Sequence, residues 1–120
     1  MQVFNLLNHK NQYMVYHDDA IYFQSYGTLM ATIRYSFHGG YSETLEINSR
    51  YWSVTTGRHM RAFLEETHML DSVLCLIHEH RVFKSLKDFM QRATSVTLFM
   101  GDIEVEYKNN KGETETFICR

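Results

Sequence analysis

Proline is missing from all 120 residues, where average usage near 5% would place about six. That absence removes any proline-rich linker, and no low-complexity run takes its place. The chain therefore reads as one domain over residues 1–120, long enough to bury a real core. Long apolar runs are missing too. No stretch of about 18 apolar residues and no charged-then-apolar leader marks a membrane span or a secretory signal, so the expected location is the cytoplasm. Cysteine is scarce: Cys75 and Cys119 cannot make a zinc framework alone. Counting leaves a disulfide between them open, and free buried thiols are the preferred reading for an intracellular chain. Excess positive charge is also absent. Twelve basic against fourteen acidic residues, a net charge of −2, argues against a surface built entirely for nucleic acid and leaves room only for a local basic patch.

The common catalytic signatures are missing as well. There is no G-x-S-x-G, P-loop or G-x-G-x-x-G, and His78-Glu79 is followed by His80-Arg81-Val82 rather than completing H-E-x-x-H. Gly39-Gly40 reads as a turn, and the acids show no isolated pair suited to general acid–base work. No cofactor is expected.

What the chain does have is seven histidines, seven methionines, eight tyrosines and eight phenylalanines. Tyr and Met fill cores, and they also recur at adaptable binding surfaces. Core filling is the simpler reading. Short branched or aromatic runs at 2–7, 12–17 and 20–25 predict strands. In 28–37 the apolar or aromatic residues Leu29, Ala31, Ile33, Tyr35 and Phe37 alternate with Thr28, Met30, Thr32, Arg34 and Ser36. His38-Gly39-Gly40 reverses the chain into an alternating stretch from Glu43 to Asn48. These make an antiparallel meander of four or five strands with one face in need of a cover.

The cover is a helix from about Ser53 to Thr67. Ser53, Thr55 and Thr56 can accept from the free N–H groups of its first turn, while Met60, Phe63 and Leu64 follow at helical spacing. Its outward residues are Arg58, Arg61, Glu65 and Glu66. Trp52 is expected to anchor this helix to the sheet. Asp71 to Ile77 has an apolar period that fits strand and buried helix equally. Val82, Leu86, Phe89, Met90 and Ala93 share one helical face, with Ser85 and Asp88 resembling a capping box, so a second helix spans about 82–93. Strands at 95–100 and 103–107 follow, with Gly101-Asp102 as the turn. In the last hairpin, a type I turn with left-handed Gly112 pairs Asn109 with Glu113, Val105 with Phe117 and Ile103 with Cys119. Glu104, Glu106 and Lys108 then look outward. The expected fold is α+β: an antiparallel meander covered by one or two helices, with a C-terminal β-hairpin.

Four constellations carry candidate chemistry. From Ile47 to Leu64 there is no acid, and Arg50, Tyr51, Trp52, Arg58, His59 and Arg61 gather about a helix N-terminus. Basic and stacking groups beside free N–H groups suit a phosphate backbone with unstacked bases, although capping alone accounts for the hydroxyls. His78 and His80 share a side only if extended, so surface histidines are the stronger reading than a metal pair. Cys75 lies between Leu74 and Leu76, which predicts a buried, inert thiol rather than a nucleophile. Asp102, Glu104 and Glu106 repeat along one strand as a phosphate mimic would, or as a solvated edge would.

Tyr22-Phe23-Gln24-Ser25-Tyr26-Gly27-Thr28-Leu29-Met30-Ala31, followed by Tyr51-Trp52-Ser53-Val54-Thr55-Thr56-Gly57-Arg58-His59 and Phe63-Leu64, resembles small proteins of unknown function encoded by phages and other bacterial mobile elements. The shared pattern is an S-Y-G-T strand and a W-S-x-T-T-x-x-H helix start, over roughly Tyr22 to Leu64. It assigns no catalytic residues. What the resemblance implies is a bacterial host cytoplasm and a non-enzymatic protein that binds and inhibits a host or defence protein, of the anti-CRISPR or another anti-defence type. The alternative is a small nucleic-acid-binding module using the basic and aromatic residues of 50–61.

Overall fold

The computed structural model describes residues 1–48 and 53–119 of the chain. Strands β1 (Gln2–Asn5), β2 (Gln12–His17), β3 (Ala20–Ser25), β4 (Thr28–Ser36) and β5 (Ser42–Ile47) precede three helices, α1 (Val54–Glu66), α2 (Leu70–His80) and α3 (Leu86–Arg92). Strands β6 (Ala93–Phe99), β7 (Asp102–Lys108) and β8 (Thr114–Cys119) follow. All eight form one antiparallel sheet whose spatial order is the sequence order. The helices are an excursion between two neighbours, because β5 and β6 pair directly, Leu45 opposite Val96. The C-terminal strands thus extend the first meander, and the fold is α+β with its helices on one face.

Side-chain alternation decides which face that is. Ile21, Ile33, Leu45, Val96 and Val105 lie opposite one another across five strands and are buried. They join one core with Met60, Phe63 and Leu64 of α1, Leu70, Val73 and Leu76 of α2, and Phe89 and Met90 of α3. Phe23 stacks on Phe63 with ring centroids 5.5 Å apart, which locks α1 onto β3. The other face is polar: Arg34 pairs with Glu46 across β4 and β5, and Thr44 meets Thr97 across β5 and β6.

Local chemistry explains most element ends. Ser53 caps α1, its Oγ accepting from Thr56 N–H at 3.1 Å, and Arg58, Arg61, Glu65 and Glu66 are exposed as the stripe requires. The ambiguous stretch after Asp71 is helical, and α2 ends at Arg81 in a left-handed conformation (φ 53°). The next helix begins at Leu86 rather than Val82, because Ser85 is extended and serves as its N-cap. Ser85 Oγ accepts from Asp88 N–H at 3.1 Å, while the Asp88 carboxylate accepts from Lys84 N–H at 2.9 Å, so the acid reaches one residue beyond a standard capping box. Arg92 then ties α3 down. It donates to both Asp88 oxygens (2.9 and 3.1 Å) and to Val82 O (2.6 Å), and its guanidinium lies 5.1 Å from the Phe83 ring centroid.

The last hairpin has the expected register. Asn109 N–H donates to Glu113 O at 2.9 Å, Gly112 has φ 77°, Val105 faces Phe117 and Ile103 faces Cys119. Two expectations of the first half change. The first run ends as a strand at Asn5 and turns through a short 3-10 segment at Leu6–Asn8. In β4 the register opposite β3 shifts by one residue, so Met30 is buried while Leu29 is 42% exposed. A bulge moves side chains to the opposite face, which strict alternation cannot anticipate.

Candidate functional site

Of the six residues gathered at the helix start, Arg50, Tyr51 and Trp52 lie outside the described residues. Arg58 and Arg61 are exposed, three positions apart on one side of α1. His59 does not join them. It is fully buried, because positions 56, 59, 60, 63, 64 and 67 form the stripe pressed on the sheet. Its Nδ1 lies 2.8 Å from Thr55 O; a carbonyl only accepts, so Nδ1 donates to it, and Nε2 has no partner among the described residues. The His9 ring packs edge-on against it at 5.3 Å. His9 Nδ1 in turn accepts from Asn11 N–H, which leaves its Nε2 as the protonated nitrogen of a neutral ring. The two histidines are thus a packed pair rather than a ready metal site.

The other side-chain candidates separate. His78 and His80 are two positions apart on α2, about 200° around the helix, and cannot share an ion. Cys75 is exposed rather than buried, because it falls on the solvent side of α2 although leucines flank it in sequence. Its Sγ donates to Glu79 Oε1 at 3.3 Å, and that bond to a carboxylate raises the thiol pKa. Cys119 is buried and both thiols are free. The acids of β7 are exposed, but β7 is an interior strand between β6 and β8, so they do not guard an edge.

What the structure does bring together lies where the sheet outruns its helices. In a meander every second connection falls at the same end, so the turns β2–β3, β4–β5 and β6–β7 share one. There the row beyond the buried one, Tyr35, Glu43, Leu98 and Ile103, is only partly covered. Tyr41, Glu43, Leu98, Phe99, Met100, Gly101, Asp102 and Ile103 line a depression of about 490 Å³, built from strands and turns alone. Beside it Phe37 is 67% exposed, against the alternation that placed it with the core, and Met100 is 79% exposed. Phe37 and Tyr35 both pack against the Tyr41 ring, with centroids at 5.4 and 6.3 Å. Tyr41 donates its hydroxyl proton to Glu43, which pushes the phenol up to about 12.

Two backbone features shape this shelf. Met100 and Gly101 both have positive φ (49° and 88°), as the central residues of a type I′ turn do. Asn-Gly is the usual pair there, and a methionine in the left-handed region is disfavoured by about 1 kcal/mol. Gly40, with φ 119°, sits so close to the neighbouring turn that a Cβ would come 3.1 Å from the Phe99 ring. The turn expected at Gly101-Asp102 lies one residue earlier, at Met100-Gly101, because β6 ends at Phe99 and β7 begins at Asp102.

The family model matching residues 4–73 is described as a family of unknown function, DUF8033. The chain belongs to that family. The DUF8033 segment runs from β1 through five strands and α1 into α2, and so includes Phe23, His59 and Phe63 as well as the Phe37 and Tyr41 side of the shelf. Phe99, Met100 and Asp102 lie beyond it. Searches of curated proteins and of solved structures return no match.

Proposed function

We propose that this chain is a non-enzymatic protein of phage type that binds and inhibits a host or defence protein, as an anti-CRISPR or other anti-defence factor does. The observation that supports this is the contiguous group of Phe37, Tyr41, Phe99 and Met100, each between 38% and 79% exposed at neighbouring hairpin tips. Large aromatic and thioether surface held in water costs solubility unless a partner covers it. The residues resembling phage-encoded proteins supply the context for that partner. The test is expression of the chain in bacteria carrying a panel of defence systems, with and without Phe99→Ser. Protection of an infecting phage by the wild type and its loss in the variant is the expected result; equal infection with and without the chain across the panel overturns inhibition.

The second reading is a nucleic-acid module at the helix start, using Arg50, Trp52, Arg58 and Arg61. It draws support from the exposure of Arg58 and Arg61 and from a first helical turn without acids. It predicts affinity for single strands that falls steeply with salt and disappears in Arg58→Ala plus Arg61→Ala. Flat salt dependence ends it.

A further inference from the structure

Charge is divided between the two ends of the sheet. The turn segments 17–20, 36–43 and 99–103 carry Asp18, Asp19, Glu43 and Asp102 and contain no Lys or Arg. At the opposite end the β1–β2 and β7–β8 connections and their borders carry Lys10, Lys108 and Lys111 beside Glu113 and Glu115 and are mixed in charge. The end holding the exposed aromatic shelf is therefore the anionic one. Asp19 O accepts from Tyr35 N–H at 2.9 Å, which ties the main chain of the β2–β3 turn to β4.

The Met100-Gly101 turn of the shelf has a counterpart elsewhere in the sheet. The β3–β4 turn has the same backbone, Tyr26 and Gly27 at φ 50° and 81°, and Tyr26 has a reason to be there: its ring packs on His9 at 5.8 Å. Met100 holds an equally disfavoured conformation with most of its side chain in water.

We infer that this end of the sheet is a docking surface for a basic, apolar segment of another protein, one that lays an aliphatic or aromatic side chain into the depression between Tyr41, Leu98, Met100 and Ile103 and sets Lys or Arg against Glu43 and Asp102. The inference rests on the protein-binding reading above and names its surface. The aromatic faces of Phe37, Tyr41 and Phe99 add cation–π partners for a guanidinium. A neutral or acidic segment gains the apolar contact but meets uncompensated carboxylates, so charge selects the partner.

The experiment is an mRNA-display selection of random 12-residue peptides on the full chain, repeated on a triple variant, Glu43→Gln with Met100→Asn and Asp102→Asn, whose fold is checked by circular dichroism. The expected result is enrichment of peptides that combine Lys or Arg with an aromatic or aliphatic residue. Their affinity should drop at least tenfold on the variant and weaken with added salt. Acidic or neutral winners, or equal binding to both proteins, overturn the docking surface. So does a concentration-dependent dimer in sedimentation that the variant abolishes, since a second copy then occupies the shelf. Capture from bacterial lysate separates the two levels of the argument. A partner held equally by wild type and variant sinks this surface while protein binding stands, and no partner for either protein, together with no enriched peptide, sinks both.

Discussion

Two rows of the same sheet face the same way and differ in how far they are covered. Ile33, Leu45, Val96 and Val105 are buried beneath the helices, whereas the next row, Tyr35, Glu43, Leu98 and Ile103, is only partly covered. Alternation along each strand assigns both rows to one face and says nothing about how far the cover reaches. The difference lies in the cover: α1, α2 and α3 press on the first row, and the second keeps part of its surface in water. Stability concentrates under the helices, and the partly covered margin is where the proposed docking surface lies.

The comparison breaks most easily by truncating one aromatic from each region. Phe63 is fully buried against Phe23, and Phe63→Ala should cost about 3–5 kcal/mol through lost transfer energy and the cavity left behind. Phe99 is 38% exposed, and Phe99→Ala should cost no more than about 1 kcal/mol. Urea denaturation with an unchanged m-value reads both. Equal losses would mean that the shelf belongs to the core.

A smaller effect tests the covered region at its polar joint. Arg92 and Asp88 are each under a quarter exposed at the side chain, and Arg92→Ala removes the donor to Val82 O and leaves the carboxylate with the Lys84 N–H, for about 1–3 kcal/mol. Burial pushes the Asp88 pKa up, but the Lys84 N–H and Arg92 outweigh it and hold the group below its ordinary 3.8. A depressed folded pKa means the stabilisation is complete above the unfolded value, from about pH 5, and is lost as pH falls through 3.8 toward the folded pKa. Stability measured from pH 6 down to pH 3 should therefore decline less steeply in Asp88→Asn than in the wild type. Identical slopes would remove Asp88 from the account.

How much of this was legible depended on whether a signal was local. The Ser53 cap, the Met60–Phe63–Leu64 stripe and the last hairpin register follow from neighbouring residues, and each is as the pattern requires. The bulge that buries Met30 depends on the strand across from it. The exposure of Cys75 depends on how α2 is rotated, which two flanking leucines cannot fix. His59 shows the opposite failure. Its position in the buried stripe was readable, and its imidazole chemistry drew it toward the arginines instead. The shelf was hidden because it depends on how far the helices cover the sheet, a tertiary quantity, and the local pattern puts the turn beside it one residue late, at Gly101-Asp102.

That turn gives the smallest and sharpest test. Asn tolerates the left-handed region because its short side chain bonds locally, so Met100→Asn should raise stability by about 0.5–1 kcal/mol. Tyr26→Asn relieves the same backbone conformation but gives up the packing on His9, so its gain should be smaller or absent. Thermal denaturation of the two variants side by side separates strain from side-chain contact. A rise for Met100→Asn accompanied by weaker peptide binding places the methionine outside the needs of the fold and inside those of the surface. A fall would show that its contacts with the neighbouring turn stabilise the tip more than its conformation costs, and the distinction between the covered and uncovered rows would narrow accordingly.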